Sequence, residues 1–480
     1  MNLKSKATHG VKWTSASMLV TTILQFSQLA ILARFLTPEQ FGLMALVTVV
    51  IGFSQAFVDM GMSNAIIHKQ TNCQLHLSTL FWLTLLAGIC ITGLVFLSAP
   101  LVANFYESPE LKPLIQLVSL AFVISALGNQ HKVLFQKELQ FKVIAIVELC
   151  SVCCAFIVAI SMAALNFGVY ALVFANITMT LVSSMLFFIL GARSIYVPKF
   201  HFRWYEARGY VGFGAYQMGE RTINYFSANV DKILIGKFLG VHSVGLYNVA
   251  WQLIIFPLSK LNPVINKVAL PVYGKIQKNP QAIDDYYSLA MKAIGLIVIP
   301  FSIYLLFFSM PVVSVVFGPQ WIDASMVVSL LGVVGLVKAI GNPGGALVVA
   351  LGNAKLGFWW NVIWASAVLC CLYFALMLSP QLETTPYVLL VLTSLFGVVW
   401  HCLVYKLTGV NYRPILSKFA FIVLYSVVIC TLATVIVIFF GVLSPLNKVI
   451  ISASVFMFTY VPYLLLYEIR PLLSSRRREV

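Results

Sequence analysis

Long apolar windows separated by short polar ones run the length of the chain. They fall near 11–34, 41–62, 78–99, 113–130, 143–164, 168–190, 210–236, 244–268, 288–309, 323–341, 357–378, 385–405, 416–440 and 446–467. Most approach or exceed the ~20 residues an α-helix needs to cross a bilayer. The runs are continuous rather than alternating, and an open sheet cannot satisfy its backbone in lipid, so strands are excluded. The pattern predicts an all-α polytopic membrane protein of about 14 transmembrane helices, an even number that puts both termini on one side.

Composition agrees. Hydrophobic residues make up 60% and charged residues 10% of the 480, where a soluble domain carries about 25% charge. That excludes a soluble enzyme, a nucleic-acid-binding module and a singly anchored receptor. The net charge of +16 reads as retention of basic residues on the cytoplasmic face, not as nucleic-acid binding. Twenty-one Lys and Arg fall in one alternate set of loops, Lys132, Lys137 and Lys142 among them, and four in the other. This places both termini in the cytoplasm. Lys4, Lys6 and Lys12 precede a long apolar run with no small-residue cleavage site, so the first span is read as retained. The opposite loops, such as 166–168 and 380–386, are too short for a large extracytoplasmic domain. Cys150, Cys153 and Cys154 lack a companion His or Cys pair, so neither a metal nor another cofactor is expected.

An internal repeat organises the chain. Arg34-Phe35-Leu36 followed by Phe41-Gly42-Leu43 recurs as Lys237-Phe238-Leu239 and Val244-Gly245-Leu246, at an offset of 203. Ser98, Pro100 and Pro109 recur as Ser309, Pro311 and Pro319, at offsets of 211 and 210. Six predicted helices separate the copies, so each returns in the same orientation, as in parallel repeats related by an axis along the membrane normal. The expected domains are a six-helix lobe over 1–200, a second over 201–405, and two further helices with a basic cytoplasmic tail over 406–480, the lobes flanking a central cavity.

Polar residues inside spans mark such a cavity, because ionisable groups in lipid are costly and face protein or water. Gln217, Arg221, Asn224, Ala228 and Asp231 follow one another at steps of +4, +3, +4 and +3, on one helical face. Subtracting 203 gives Thr14, Met18, Thr21, Gln25 and Gln28, four of them polar, in the first span. Thr48, Gly52, Gln55 and Asp59 form a third stripe. Arg221, near mid-membrane, needs a partner or a cavity; Thr and Gln read equally as glue between helices. Lys260 is a second candidate cation. Asp231, Asp59, Glu148 and Glu220 are the ion-coupling candidates, Asp231 ahead of Glu220 because it shares the polar face. Glu148 reads equally as an interfacial cap. Lys338 is placed near a span end, from which it can snorkel. Gly341-Asn342-Pro343-Gly344-Gly345 has no following Gly-Lys-Ser/Thr, so it predicts a hinge or turn at a helix end, not a nucleotide loop.

A resemblance adds to this. Asn229-Val-Asp231-Lys-Ile-Leu-Ile-Gly236-Lys-Phe-Leu-Gly240 with Val244-Gly245-Leu-Tyr247, Phe256-Pro257 ahead of Leu270-Pro271-Val-Tyr273, and Phe317-Gly318-Pro319-Gln320-Trp321 resemble the Wzx-type polysaccharide flippases. So does Arg34-Phe-Leu-Thr-Pro-Glu-Gln-Phe-Gly42. The likeness is to the colanic-acid and lipopolysaccharide exporter branch of the multidrug/oligosaccharidyl-lipid/polysaccharide exporter superfamily. It implies a bacterial inner-membrane flippase, not an enzyme, for undecaprenyl-pyrophosphate-linked sugar repeat units. It also implies membrane lipids as surroundings, leaves H+ or Na+ open as coupling ion, and leaves open a polysaccharide polymerase as partner. Two rivals remain. A cation-coupled drug antiporter of the same superfamily should centre carboxylates, not Arg, in its cavity. A membrane glycosyltransferase or polymerase should carry sizeable extracytoplasmic loops.

Overall fold

The computed structural model describes residues 3–68 and 73–469. Within these, the side chains of 3–12, 15, 64, 68, 209, 211–217, 220, 256–268, 270–271, 354 and 469 lie outside the described set. The described residues form helices joined by short turns, with no strand. Each apolar run satisfies its own backbone by coiling, the only economical solution in lipid for an open chain. Among the described residues thirteen helices are long and apolar enough to cross a membrane, one fewer than the fourteen expected.

The chain packs as two compact units, Met1–Gly245 and Leu246–Val480. The first contains α1 (Leu3–Phe35), α2 (Pro38–Asp59), a short α3 (Met62–His68), α4 (Gln74–Phe105), α5 (Leu111–Lys137), α6 (Phe141–Ala164) and α7 (Tyr170–Ser194). Within it, α5 packs on α2, α4 and α7, and α6 on α1 and α7. Helix α8 (Trp204–Ile276) crosses from the first unit into the second. The second continues with α9 (Pro280–Val316), α10 (Ala324–Ala350), α11 (Ala354–Leu378), α12 (Thr384–Thr408), α13 (Arg413–Phe439) and α14 (Pro445–Tyr463). There α9 and α12 flank α10, while α13 and α14 lie on α9, tied by the Tyr460 hydroxyl donating to the Leu296 carbonyl (2.7 Å).

The repeat is written into the helices. The trio α5, α6, α7 has 27, 24 and 25 residues, and α10, α11, α12 has 27, 25 and 25. Pro100 and Pro311, the echo found in sequence, each sit inside a helix, and each lies close to its C-terminal end. The chain breaks at Leu36 and Thr37 between α1 and α2, and 203 residues later α8 breaks at Gly240 (φ 78°, ψ 178°), a conformation essentially confined to glycine. Two windows were expected across 210–268; the structure joins them into one 73-residue helix with that single break. At 1.5 Å per residue an unbroken helix of this length would be about 110 Å long, several times the thickness of a bilayer core, and the break divides it into two arms.

The two repeat motifs meet inside the first unit. A Cβ on Gly42 would overlap the Val241 carbonyl oxygen, and a Cβ on Gly245 would overlap that of Pro38. Glu39 Oε1 lies 2.5 Å from His242 Nδ1. Positions 38, 39 and 42 become 241, 242 and 245 when 203 is added, so the contact is unchanged when the two segments are exchanged. That is the signature of an isologous interface, here between two segments of one chain.

Two sequence expectations are corrected. Residues 341–345 are not a turn but lie inside α10, with Pro343 in the helix. The glycines admit Trp400 of α12, whose Nε1–H donates to the Gly341 carbonyl (3.1 Å), and a Cβ on Gly344 would lie 2.6 Å from that nitrogen. Neighbouring helices stabilise such interruptions in membrane helices. Because α10 runs on to Ala350, Lys338 is in mid-helix, not near a span end. Its ammonium sits over the rings of Trp251 (4.7 Å) and Trp364 (5.6 Å).

Candidate functional site

Asp59 is the last residue of α2, which the left-handed Met60 (φ 46°) terminates. A carboxylate there meets the negative end of the helix dipole, and it is also buried. Both effects demand donors, and three supply them. Arg221 Nη1 donates to Asp59 Oδ2 (2.7 Å), Asn129 Nδ2 to Oδ1 (3.2 Å), and the Ser63 hydroxyl to the same Oδ1. Asp59 keeps 10% side-chain exposure, whereas Arg221 keeps 44%. The acid is sealed in and part of the guanidinium remains open.

What Arg221 opens onto is a cavity of about 670 Å³ in the first unit. Its walls include Gln55 and Asp59 of α2, Asn129, Lys132 and Gln136 of α5, and Arg221, Asn224 and Ala228 of α8. A second cavity of about 310 Å³ shares Asn129 and Lys132 and adds Thr21 and Gln25 of α1, Ser125 of α5, Glu148 of α6, and Thr180 and Ser183 of α7. Lys132 Nζ donates to Glu148 Oε1 (2.9 Å) and also lies over the Phe187 ring. Glu148 is therefore ion-paired within the unit.

The structure thus brings together Arg221, Asn224, Gln55 and Asp59 at one cavity, and Thr21, Gln25 and Glu148 at the other. Gln28 is half-buried on α1 and lines neither. Asp231 is buried further along α8, its carboxylate accepting from the Lys232 backbone N–H (2.8 Å), and it too lines neither. The side chains of Gln217, Glu220 and Lys260 lie outside the described residues. Gly52 also lines the first cavity, with Tyr225 filling the space beside it and donating its hydroxyl to the Thr48 carbonyl (3.0 Å).

Lys132 is the main residue that sequence reasoning misplaced. The sequence sets it among the loop lysines because the apolar window stops at 130, but α5 continues to Lys137. The signal was present: Ser125, Asn129, Lys132 and Gln136 follow at +4, +3 and +4, the same one-face spacing as the Arg221 stripe.

Chemically the two cavities offer two cations, each held by one carboxylate, among amides and hydroxyls. Helices long and apolar enough for membrane spans, with ion pairs set on polar cavities, define a multi-pass membrane protein. The chain belongs to the polysaccharide biosynthesis protein family, whose model matches residues 31–326. It is 33% identical over 364 residues to the lipopolysaccharide biosynthesis protein WzxC of Escherichia coli (strain K12), covering 75% of this chain and 73% of that protein. It is 31% identical over 353 residues to the teichuronic acid biosynthesis protein TuaB of Bacillus subtilis (strain 168), covering 73% of each. Among solved structures it is similar in fold to the lipid II flippase MurJ in an inward closed conformation, with a TM-score of 0.73 at 16% identity, over 94% of this chain and 98% of that one.

Proposed function

We propose that the protein is a flippase that carries undecaprenyl-pyrophosphate-linked oligosaccharide repeat units across the bacterial inner membrane by alternating access, for lipopolysaccharide or exopolysaccharide synthesis. The observation that carries this reading is the pair of cations on two polar cavities that share Asn129 and Lys132. A pyrophosphate brings two or more negative charges, and Arg221 supplies a planar fork of donors for phosphate oxygens while Lys132 supplies a point charge. With the cavity empty, Asp59 and Glu148 neutralise these cations; an arriving headgroup competes for them. Gln55, Asn129, Asn224 and Gln25 match sugar hydroxyls, which both donate and accept. The lipid tail stays in the bilayer. No step in this cycle makes or breaks a covalent bond in the substrate.

The family membership and the names of the relatives support a role in polysaccharide export. The helix-length recurrence supports lobes over 1–200 and 201–405 with the 406–480 helices appended. Deleting the gene is expected to abolish polysaccharide display while complete lipid-linked repeat units accumulate in the membrane. Accumulation of incomplete glycans instead would mark a glycosyltransferase and overturn the proposal.

The orientation follows from the basic asymmetry, with both termini cytoplasmic. A reporter active only in the periplasm, fused after Val480, is expected to be silent. Strong activity would refute this topology.

A further inference from the structure

We infer that the second unit holds a separate pyranose-binding pocket between α10, α11 and α12, an inference that rests on the flippase reading for the origin of its ligand. The cavity measures about 600 Å³, within the range of small-molecule sites. Its walls carry more aromatic side chains than either polar cavity of the first unit. Trp360 stands 4.9 Å from Trp400 and 5.3 Å from Phe396, and Trp364 stands 5.2 Å from Phe396, centroid to centroid, in a continuous row. Indole faces are electron-rich and flat, and the C–H face of a pyranose is apolar with slightly positive hydrogens, so the two stack with weak C–H···π contacts.

Polar groups on the same walls argue against a purely lipid occupant. Asn342 and Asn361 contribute amides and Thr393 a hydroxyl. The buried Asn342 Nδ2 makes no hydrogen bond to the protein, and a buried donor without an acceptor is costly. Turning that amide into the pocket would let a sugar hydroxyl supply the acceptor. The Lys338 ammonium lines the pocket over the Trp364 ring, which disfavours a cationic guest and suits a sugar carrying a carboxylate.

The space itself is made by glycine. A Cβ on Gly345 or Gly357 would meet nothing within 4 Å, although both residues line the cavity. Larger residues at these positions fit α10 and α11 without collision at Cβ and project into the pocket. The absence of side chains there keeps a ring-sized space open in a helical layer that close packing would otherwise fill.

The test is saturation-transfer NMR on the full chain in lipid nanodiscs, with methyl β-glucoside and methyl β-glucuronide as probes. Wild-type protein is expected to transfer saturation to the ring C–H protons of both sugars, more strongly for the glucuronide. Gly345→Leu is expected to remove most of the transfer, and Lys338→Gln to remove the preference for the glucuronide. Glu39→Gln, an exposed change in the first unit that lines neither of its polar cavities, should leave the signal intact. Absence of transfer to wild-type protein, undiminished transfer in Gly345→Leu, an unchanged glucuronide preference in Lys338→Gln, or loss in Glu39→Gln would each overturn the pocket. A folded Gly345→Leu protein is verified by an unchanged melting temperature, with Gly357→Leu as the second occluding variant. Because the probes are soluble sugars and no transport is read, failure here is distinct from failure of the flippase reading. That reading falls on the deletion phenotype instead.

Discussion

Arg221→Glu is expected to abolish polysaccharide export. The new carboxylate would face Asp59, already paired to Arg221 at 2.7 Å, and would repel an anionic headgroup. Arg221→Ala should also abolish export, whereas Arg221→Lys should keep part of it, retaining the charge but losing the planar fork. Each change also touches stability. Removing Arg221 leaves a buried carboxylate with only the Asn129 and Ser63 donors. Breaking a fully buried pair costs about 3–5 kcal/mol; with Arg221 at 44% exposure, solvent screening reduces this to about 1–2 kcal/mol. Folding and transport are separable by a second substitution. Asp59→Asn in the Arg221→Ala background removes the orphaned charge, so membrane abundance should recover while export stays absent. Abundance by immunoblot and surface polysaccharide are measured together. If Arg221→Glu reaches normal abundance and still exports normally, the anion-binding role is wrong.

Why Arg221 was visible in the sequence and Lys132 was not is a matter of context. A permanent charge inside an apolar run stands out, and its +4, +3 neighbours Asn224 and Gln217 reinforce it. Lys132 follows a window whose last residues, Asn129 and Gln130, are continued by His131, and such a polar cluster reads as the end of a span. In the structure those residues are absorbed by tertiary partners. Gln130 Nε2 donates to the Leu77 carbonyl (2.8 Å) and its Oε1 accepts from the Tyr196 hydroxyl (2.6 Å), while His131 is buried against Tyr196. Local hydropathy carries no information about such long-range pairing. Residues 341–345 were misread for the same reason: glycine and proline signal a turn, unless a distant Trp400 needs the room. The all-helical class was legible because it depends on apolar length, while the count of fourteen exceeds the thirteen candidate spans among the described residues, because two apolar windows fall in the one helix α8. The pairing of each intramembrane charge depends on which helices adjoin, which a single sequence does not encode locally.

The repeat register itself makes the second prediction. Gly245→Ala is expected to lower the melting temperature of the purified protein by several degrees. The atom its Cβ would overlap is the Pro38 carbonyl oxygen, part of a helix backbone, so no side chain can rotate away. Overpacking of this kind costs about 1–3 kcal/mol. Gly42→Ala should do the same against Val241, since the two sites exchange under the offset of 203. The nearby Glu39–His242 pair is about half exposed on both sides (54% and 48%), and pairs in such surroundings contribute about 0–1 kcal/mol. Glu39→Gln should therefore have a smaller effect than either glycine variant. Gly219, where a Cβ meets nothing within 4 Å, is the control; Ala there should be neutral or slightly stabilising. The double variant decides the geometry. Once one Cβ has pushed the segments apart, the second enters space already opened, so the combined loss should fall short of the sum of the two. Strict additivity, or a wild-type melting temperature for Gly245→Ala, would mean that the two repeat motifs do not meet face to face as described.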